Sequence, residues 1–309
     1  MLARGEMRGV YALPPTPFRP EDGSFDEEAQ THNIKVLAEA GVAAVVTTGS
    51  NGEFHTITWP DHLRLMKALA RDCRAAGVVS VCGCSAVNTD EAIMKASAAT
   101  EAGCDAVMNV SPFYVQLTPE ELIKYWFDLA EGCPQIGLVV YNNPVTAQLH
   151  DLETYRQISK IPTLCGSKEG HYDFGLWYNL RLYLPDLGCF TATEPAWFIP
   201  TLKLGAKGVF SMAAAMIPRY MVQIVEACDK GQWDKAEKMV ERLKEMQAAI
   251  GRFDWGGRYN PIARFKAGVN ACGLLRCGVN RRPLISVPQE VQDRLSERLH
   301  KEFKDLIEA

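Results

Sequence analysis

The chain has 309 residues, 47% of them hydrophobic and 23% charged, and a net charge of −4. That is the profile of an ordinary globular protein, in one large domain or two ordinary ones. The acidic balance and the lack of a basic run argue against a nucleic-acid partner, and no stretch is apolar over the length of a membrane span. Met1-Leu2-Ala3-Arg4-Gly5-Glu6 has no apolar core of signal-peptide type, so a cytoplasmic location is expected.

In chain order, short apolar runs with strand character fall at 10–13, 43–48, 78–83, 106–110, 136–141, 163–168, 187–193 and 208–211. Helical patterns lie between them, near 26–40, 60–76, 89–102, 119–131, 151–159, 172–183, 195–204 and 215–229. Asp26, Asp90 and Thr118 stand where N-caps belong, and Thr118-Pro119-Glu120-Glu121 adds a proline at the first helical position and acids in the first turn. Strands that are continuously apolar, each followed by a helix, require a parallel sheet covered on both faces. Eight such units close most economically into an α/β fold of the (β/α)₈ TIM-barrel type over 1–231. The alternative, a doubly wound open sheet, usually carries a glycine-rich turn after its first strand, and Leu13-Pro14-Pro15-Thr16-Pro17-Phe18 is the opposite of one. From 232 to 309 the pattern is helical only (232–250, 260–273, 288–307), a C-terminal extension expected to pack on the barrel or at a subunit contact.

Many of the ten cysteines lie inside apolar runs or helical patterns, as reduced, buried thiols do. Cys82-Gly83-Cys84 is not a zinc spacing, and the six histidines are scattered, so no metal is expected.

In a barrel of this kind chemistry sits at the C-terminal ends of the strands. There the sequence places Thr16, the turn Gly49-Ser50-Asn51-Gly52-Glu53, Ser111-Pro112-Phe113-Tyr114, Tyr141-Asn142-Asn143-Pro144, Lys168, Thr193-Glu194 and Ser211. Lys168 is the only lysine that ends a strand in this mouth. An amine capping an apolar strand is partly desolvated, which favours the uncharged nucleophile that can attack a ketone and form a Schiff base. The bland alternative is a Lys168–Glu169 surface pair. The amides of Gly49–Glu53, with the Ser50 hydroxyl and Asn51 side chain, could hold a carboxylate, with Glu53 anchoring the loop. Tyr141, one strand-end from Lys168, could shuttle a proton.

Together these motifs resemble the dihydrodipicolinate synthase/N-acetylneuraminate lyase family of Schiff-base-forming, pyruvate-handling barrels, over about 8–300. The resemblance rests on order and spacing: Thr16-Pro17-Phe18, Gly49–Glu53, Pro112–Tyr114, Tyr141–Pro144, Lys168-Glu169 and Gly205–Val209. It implies that Lys168 is the imine lysine, Tyr141 the proton shuttle, and Ser50 and Asn51 the holders of the pyruvyl carboxylate. Tyr114 is then the tyrosine that reaches a neighbouring subunit's site, in a homotetramer built as a dimer of dimers. No cofactor beyond the covalent imine is implied, and the partners are pyruvate or another 2-oxo acid and an aldehyde. Two departures bear on the substrate. Thr146 stands where dihydrodipicolinate synthases carry an arginine, and Thr191-Ala192-Thr193-Glu194 lacks the usual glycine and paired acids. Phe54, Phe113, Trp197 and Phe198 lie near the mouth and suit an aromatic or apolar aldehyde half, and Ile57-Thr58-Trp59 is somewhat like the hydratase-aldolases of arylidene pyruvates. A deaminase or dehydratase using the same imine, a true dihydrodipicolinate synthase, and a non-catalytic sensor are the other readings.

Overall fold

The computed structural model describes residues Met1–Ala309. Its strands are β1 (Gly9–Ala12), β2 (Ala44–Thr47), β3 (Val79–Gly83), β4 (Ala106–Asn109), β5 (Gly137–Asn142), β6 (Leu164–Glu169), β7 (Gly188–Thr191) and β8 (Gly208–Ser211). The covering helices are α1 (Glu27–Glu39), α2 (Trp59–Ala76), α3 (Thr89–Ala102), α4 (Pro119–Gly132), α5 (Leu152–Ile158), α6 (Phe174–Tyr183), α7 (Phe198–Lys203) and α8 (Pro218–Asp229). All neighbouring strands pair in parallel, in the order β7-β6-β5-β4-β3-β2-β1-β8, so the sheet is a nearly closed barrel in which only β7 and β8 share no backbone ladder. The expected elements match these to within a few residues. Thr118 forms a full capping box with Glu121, but α3 is capped by Asn88, not Asp90, because the Asn88 side chain accepts from the Glu91 amide.

Two apolar layers hold the barrel. Inside, Tyr11, Val46, Val81, Met108, Val139, Phe190 and Phe210 interdigitate, and Leu2 and Met7 from the N-terminal segment join this layer. Outside, the alternate strand residues pack on the helices. The extension, α9 (Trp233–Gly251), α10 (Pro261–Cys272), α11 (Gln289–Glu302) and α12 (Lys304–Ile307), belongs to that same outer core. Phe198 is part of the core and fully buried, and Trp197 packs edge-on against Phe174 and His171, so neither is a free mouth aromatic. No helix is long and apolar enough to cross a membrane.

One irregularity decides where Lys168 points. Leu138 pairs with Leu164, but Val139 pairs with Gly166, so Cys165 is an extra residue on β6. Side chains alternate along a strand, and one inserted residue reverses the phase of all that follow. Without the insertion Lys168 would face the helices. With it, Lys168 pairs directly with Tyr141 on the inner face, while Glu169 faces outward.

Candidate active site

Lys168 is 4% exposed, and its Nζ makes neither an ion pair nor a hydrogen bond within the chain. It sits 3.9 Å above the centroid of the Tyr141 ring and 5.8 Å from that of Phe210. The ring face, rather than a carboxylate, is its neighbour. The Tyr141 oxygen accepts from Asn143 Nδ2 at 2.9 Å. The amide cannot be turned round, because Asn143 Oδ1 already accepts from the Val145 N–H at 3.1 Å. Asn143 therefore occupies a lone pair of Tyr141 and leaves its hydroxyl proton free for another acceptor. In the sequence Asn143 stands out only as part of the Tyr141–Pro144 strand end.

Tyr141 also lines a cavity of about 220 Å³ with Gly49, Ser50, Phe113 and Thr146. The Gly49–Glu53 turn that forms one wall is held under strain: Thr48 and Glu53 adopt φ of 53° and 57°. Three side chains fix it. Thr48 donates to the Gly83 carbonyl at 2.9 Å, and Thr16 donates to the Gly52 carbonyl at 2.6 Å. Glu53 is buried and ion-paired at 2.6 Å with Lys266 of α10, and it also accepts from Asn280 Nδ2 and the Arg281 amide. Gly52 is required at its place, since a Cβ there would lie 2.7 Å from the Thr48 nitrogen. Glu53 is thus the anchor expected of it. Lys266, which burial pushes below the ordinary lysine range, was not foreseen.

The other candidates fall in varied places. Thr16 spends its hydroxyl on the turn and supports the site from behind. Asn51 is half-buried and makes no side-chain hydrogen bond. Glu194 and Ser211 bond to each other: the Glu194 carboxylate accepts from the Ser211 hydroxyl and from the Met212 and Ala213 amides. They clasp the one seam that has no ladder, between β7 and β8. Burial pushes the Glu194 carboxyl up to about 7 against those donors. Tyr114 is 87% exposed and does not line the cavity that Tyr141 shares with Gly49 and Ser50.

Behind Lys168, on the outer face, is a buried polar relay that the scattered histidines did not suggest. Glu169 accepts from Tyr155 Oη at 2.7 Å, Asn142 Nδ2 at 3.0 Å and His171 Nε2 at 2.7 Å. The His171 Nδ1 accepts from the Asp173 amide, so Nε2 carries the proton. Burial alone would raise the Glu169 carboxyl, yet the His171 bond and its partners hold it below the usual carboxylate range. Trp126 Nε1 donates to His150 Nε2 at 2.8 Å, and burial lowers His150 to about 4, keeping it neutral. These bonds brace the β5–β6 pair on which Tyr141 and Lys168 stand. The structure also gathers donor atoms of His62, Cys82 and Cys84 within 4.8 Å of one another, a grouping that spacing along the chain had not indicated.

Comparison with known proteins bears on the fold and the family. Residues 6–302 match the Dihydrodipicolinate synthetase family. A 4-hydroxy-tetrahydrodipicolinate synthase of Methanospirillum hungatei is 30% identical over 295 residues, covering 94% of this chain and 98% of that protein. A crystal structure of a dihydrodipicolinate synthase superposes with a TM-score of 0.84 at 25% identity, covering 96% of this chain and 99% of the other. A family member from E. coli K12, solved in complex with pyruvate, gives a TM-score of 0.85 at 19% identity over 97% of this chain and 99% of its own. With a barrel whose β6 ends in an inward lysine and a match over almost its whole length, the chain belongs to the dihydrodipicolinate synthetase family and is an enzyme of its lyase type.

Proposed function

We propose that the protein is a Schiff-base lyase or aldolase acting on pyruvate or a related 2-oxo acid. The observation that carries this is Lys168 Nζ, buried, without an ionic partner, and stacked over Tyr141. The neutral amine adds to the C2 ketone. Loss of water, with one proton delivered to the departing oxygen, leaves an iminium over the same ring face. Removal of a C3 proton gives the enamine, which adds to an aldehyde carbon; the aldehyde oxygen takes up a proton. Water then hydrolyses the iminium, releasing the product and restoring the amine. Cleavage runs the same steps backwards. Tyr141 is the group placed to move these protons, and the Ser50 hydroxyl and turn amides are suited to the C1 carboxylate. No cofactor is needed, because the iminium itself is the electron sink.

Thr146 lines the cavity where an arginine would hold a second carboxylate, which favours a substrate other than that of lysine biosynthesis. The exposed Tyr114 suits a contribution to a partner's site in a homotetramer, and a cytoplasmic location is part of the same reading. Borohydride added with pyruvate should leave a reduced three-carbon adduct on Lys168, read by mass spectrometry of the digested protein. No adduct, or one on another lysine, would sink the proposal.

A further inference from the structure

The outer face of β3 collects a second set of reactive groups. Cys84 continues the strand, its N–H donating to the Met108 carbonyl at 3.0 Å, so Cys82 and Cys84 stand two residues apart and both enter the outer core. The two-residue spacing that counts against zinc on a loop becomes a shared face on a strand. His62 of α2 packs onto that face, with Nε2 3.6 Å from Cys82 Sγ. The donor atoms of all three lie within 4.8 Å of one another, and all three residues are buried.

The other two buried histidines have nitrogen or oxygen partners: His171 donates to Glu169, and His150 accepts from Trp126. The His62 ring has one polar partner in the chain, the Cys82 sulfur, and a thiol is both a weak donor and a weak acceptor. A buried polar group so poorly matched calls for an explanation. Bonds of about 2.3 Å to sulfur and about 2.0–2.1 Å to nitrogen, at the tetrahedral angle, set the two ligands about 3.5–3.6 Å apart across a zinc ion. That is the separation of Cys82 and His62. We propose that His62 Nε2, Cys82 Sγ and Cys84 Sγ bind a thiophilic divalent cation of the zinc class. Two thiols release their protons to solvent, two sulfur–metal bonds and one nitrogen–metal bond form, and nothing is oxidised. Two thiolates and a neutral imidazole balance the divalent charge, so the buried layer gains no net charge. An adjoining cavity of about 110 Å³, with His62 and Gly83 in its lining, has room for the water that completes four-coordination. The site also touches the strained Gly49–Glu53 turn at its base. Thr48 Oγ1 lies 3.5 Å from Cys82 Sγ and donates to the Gly83 carbonyl, so a metal on the two cysteines clamps the strand end on which that turn is built.

The test takes the full chain, reduced and stripped with a chelator, and uses Co²⁺ as the spectroscopic probe. One equivalent should give thiolate-to-cobalt charge transfer and the intense visible bands of a four-coordinate ion, and Zn²⁺ should displace it. Zinc binding to the stripped chain should release two protons per ion. X-ray absorption of the one-zinc protein should count two sulfur neighbours at about 2.3 Å, a reading that needs no variant. At saturating Co²⁺, Cys84→Ala should halve the charge-transfer intensity. His62→Gln should weaken Zn²⁺ binding by more than roughly 100-fold, since changes to groups that merely support a ligand already cost 10–100-fold. Cys228→Ala, which removes a buried thiol of α8, should change neither. Zn²⁺ should raise the melting temperature of the wild type and of Cys228→Ala but not of Cys84→Ala. No charge-transfer band at one equivalent, fewer than two sulfur neighbours, or a band that survives joint replacement of Cys82 and Cys84 by alanine overturns the site. None of these readouts involves Lys168, so the metal site and the imine chemistry stand or fall separately.

Discussion

Lys168 and Lys266 are both buried, at 4% and 1% exposure, but their surroundings are opposite. Lys266 Nζ is 2.6 Å from Glu53 and donates to the Thr16 and Val279 carbonyls at 2.8 Å each. All three of its protons have acceptors, so it stays an ammonium and ties the extension to the Gly49–Glu53 turn. Lys168 has a ring face and no acceptor. Burial alone does not make a lysine a nucleophile. What distinguishes the two is whether the protein answers the charge, and the fold answers it at one place and withholds the answer at the other.

Replacing each by methionine should separate these roles most widely. Lys266→Met strands the Glu53 carboxylate, and losing one partner of a buried pair costs about 3–5 kcal/mol in urea unfolding. Adding Glu53→Gln removes the stranded charge and should recover part of that loss. Lys168→Met should stay within about 1 kcal/mol of wild type, or above it, because functional sites are not optimised for stability. It should also lose the pyruvate adduct entirely. Equal destabilisation by the two substitutions would break the comparison. Tyr141→Phe comes next, with turnover slowed by roughly 10²–10⁴ if the phenol moves the protons. An unaffected rate removes that role.

Much of this was legible in the sequence, and what was not has physical causes. Eight apolar runs alternating with amphipathic ones require a parallel sheet covered on both faces, and the proline-rich turn after the first run favours the barrel over a doubly wound sheet. Lys168 and Tyr141 could be placed at strand ends by counting. The inward direction of Lys168 could not, since it depends on the single extra residue at Cys165, and a bulge leaves no mark on an apolar run. Lys266 left a faint signal, a lysine inside the otherwise apolar Phe265–Val269 stretch, but a flexible stem on a helix looks like any solvated lysine. Glu194 and Ser211 were rightly put at the mouth; that they meet across the open seam is a tertiary fact with no local pattern.

That seam gives the next prediction, a pH dependence. The folded-state carboxyl of Glu194 is raised to about 7, so between its unfolded value and 7 the folded chain binds more protons than the unfolded one. Its contribution to stability is therefore full in acid and fades as pH climbs from about 4.5 to about 7. Melting temperature followed across this window should fall with rising pH, and Glu194→Gln should flatten that slope. A slope unchanged in the variant would assign the titration to another group.

The smallest expected effect is the most diagnostic of how Lys168 and Tyr141 cooperate. With the Asn143 Oδ1 fixed by the Val145 N–H, Nδ2 must donate to the phenol oxygen, which steadies any negative charge that develops there. Asn143→Ala removes one neutral hydrogen bond, worth about 0.5–1.5 kcal/mol, so proton transfer should slow roughly two- to tenfold. Asn143→Asp keeps an acceptor for Val145 but reverses the contact with Tyr141, since a carboxylate can only accept, and so competes for the proton that must be delivered. It should be slower than the alanine variant despite its closer shape, and slower still as pH rises. The readout is exchange of the pyruvate C3 protons in D₂O, followed by NMR across pH, which needs no knowledge of the aldehyde. If Asn143→Asp matches Asn143→Ala at every pH, Asn143 merely shapes the turn, and the phenol draws its reactivity from Lys168 alone.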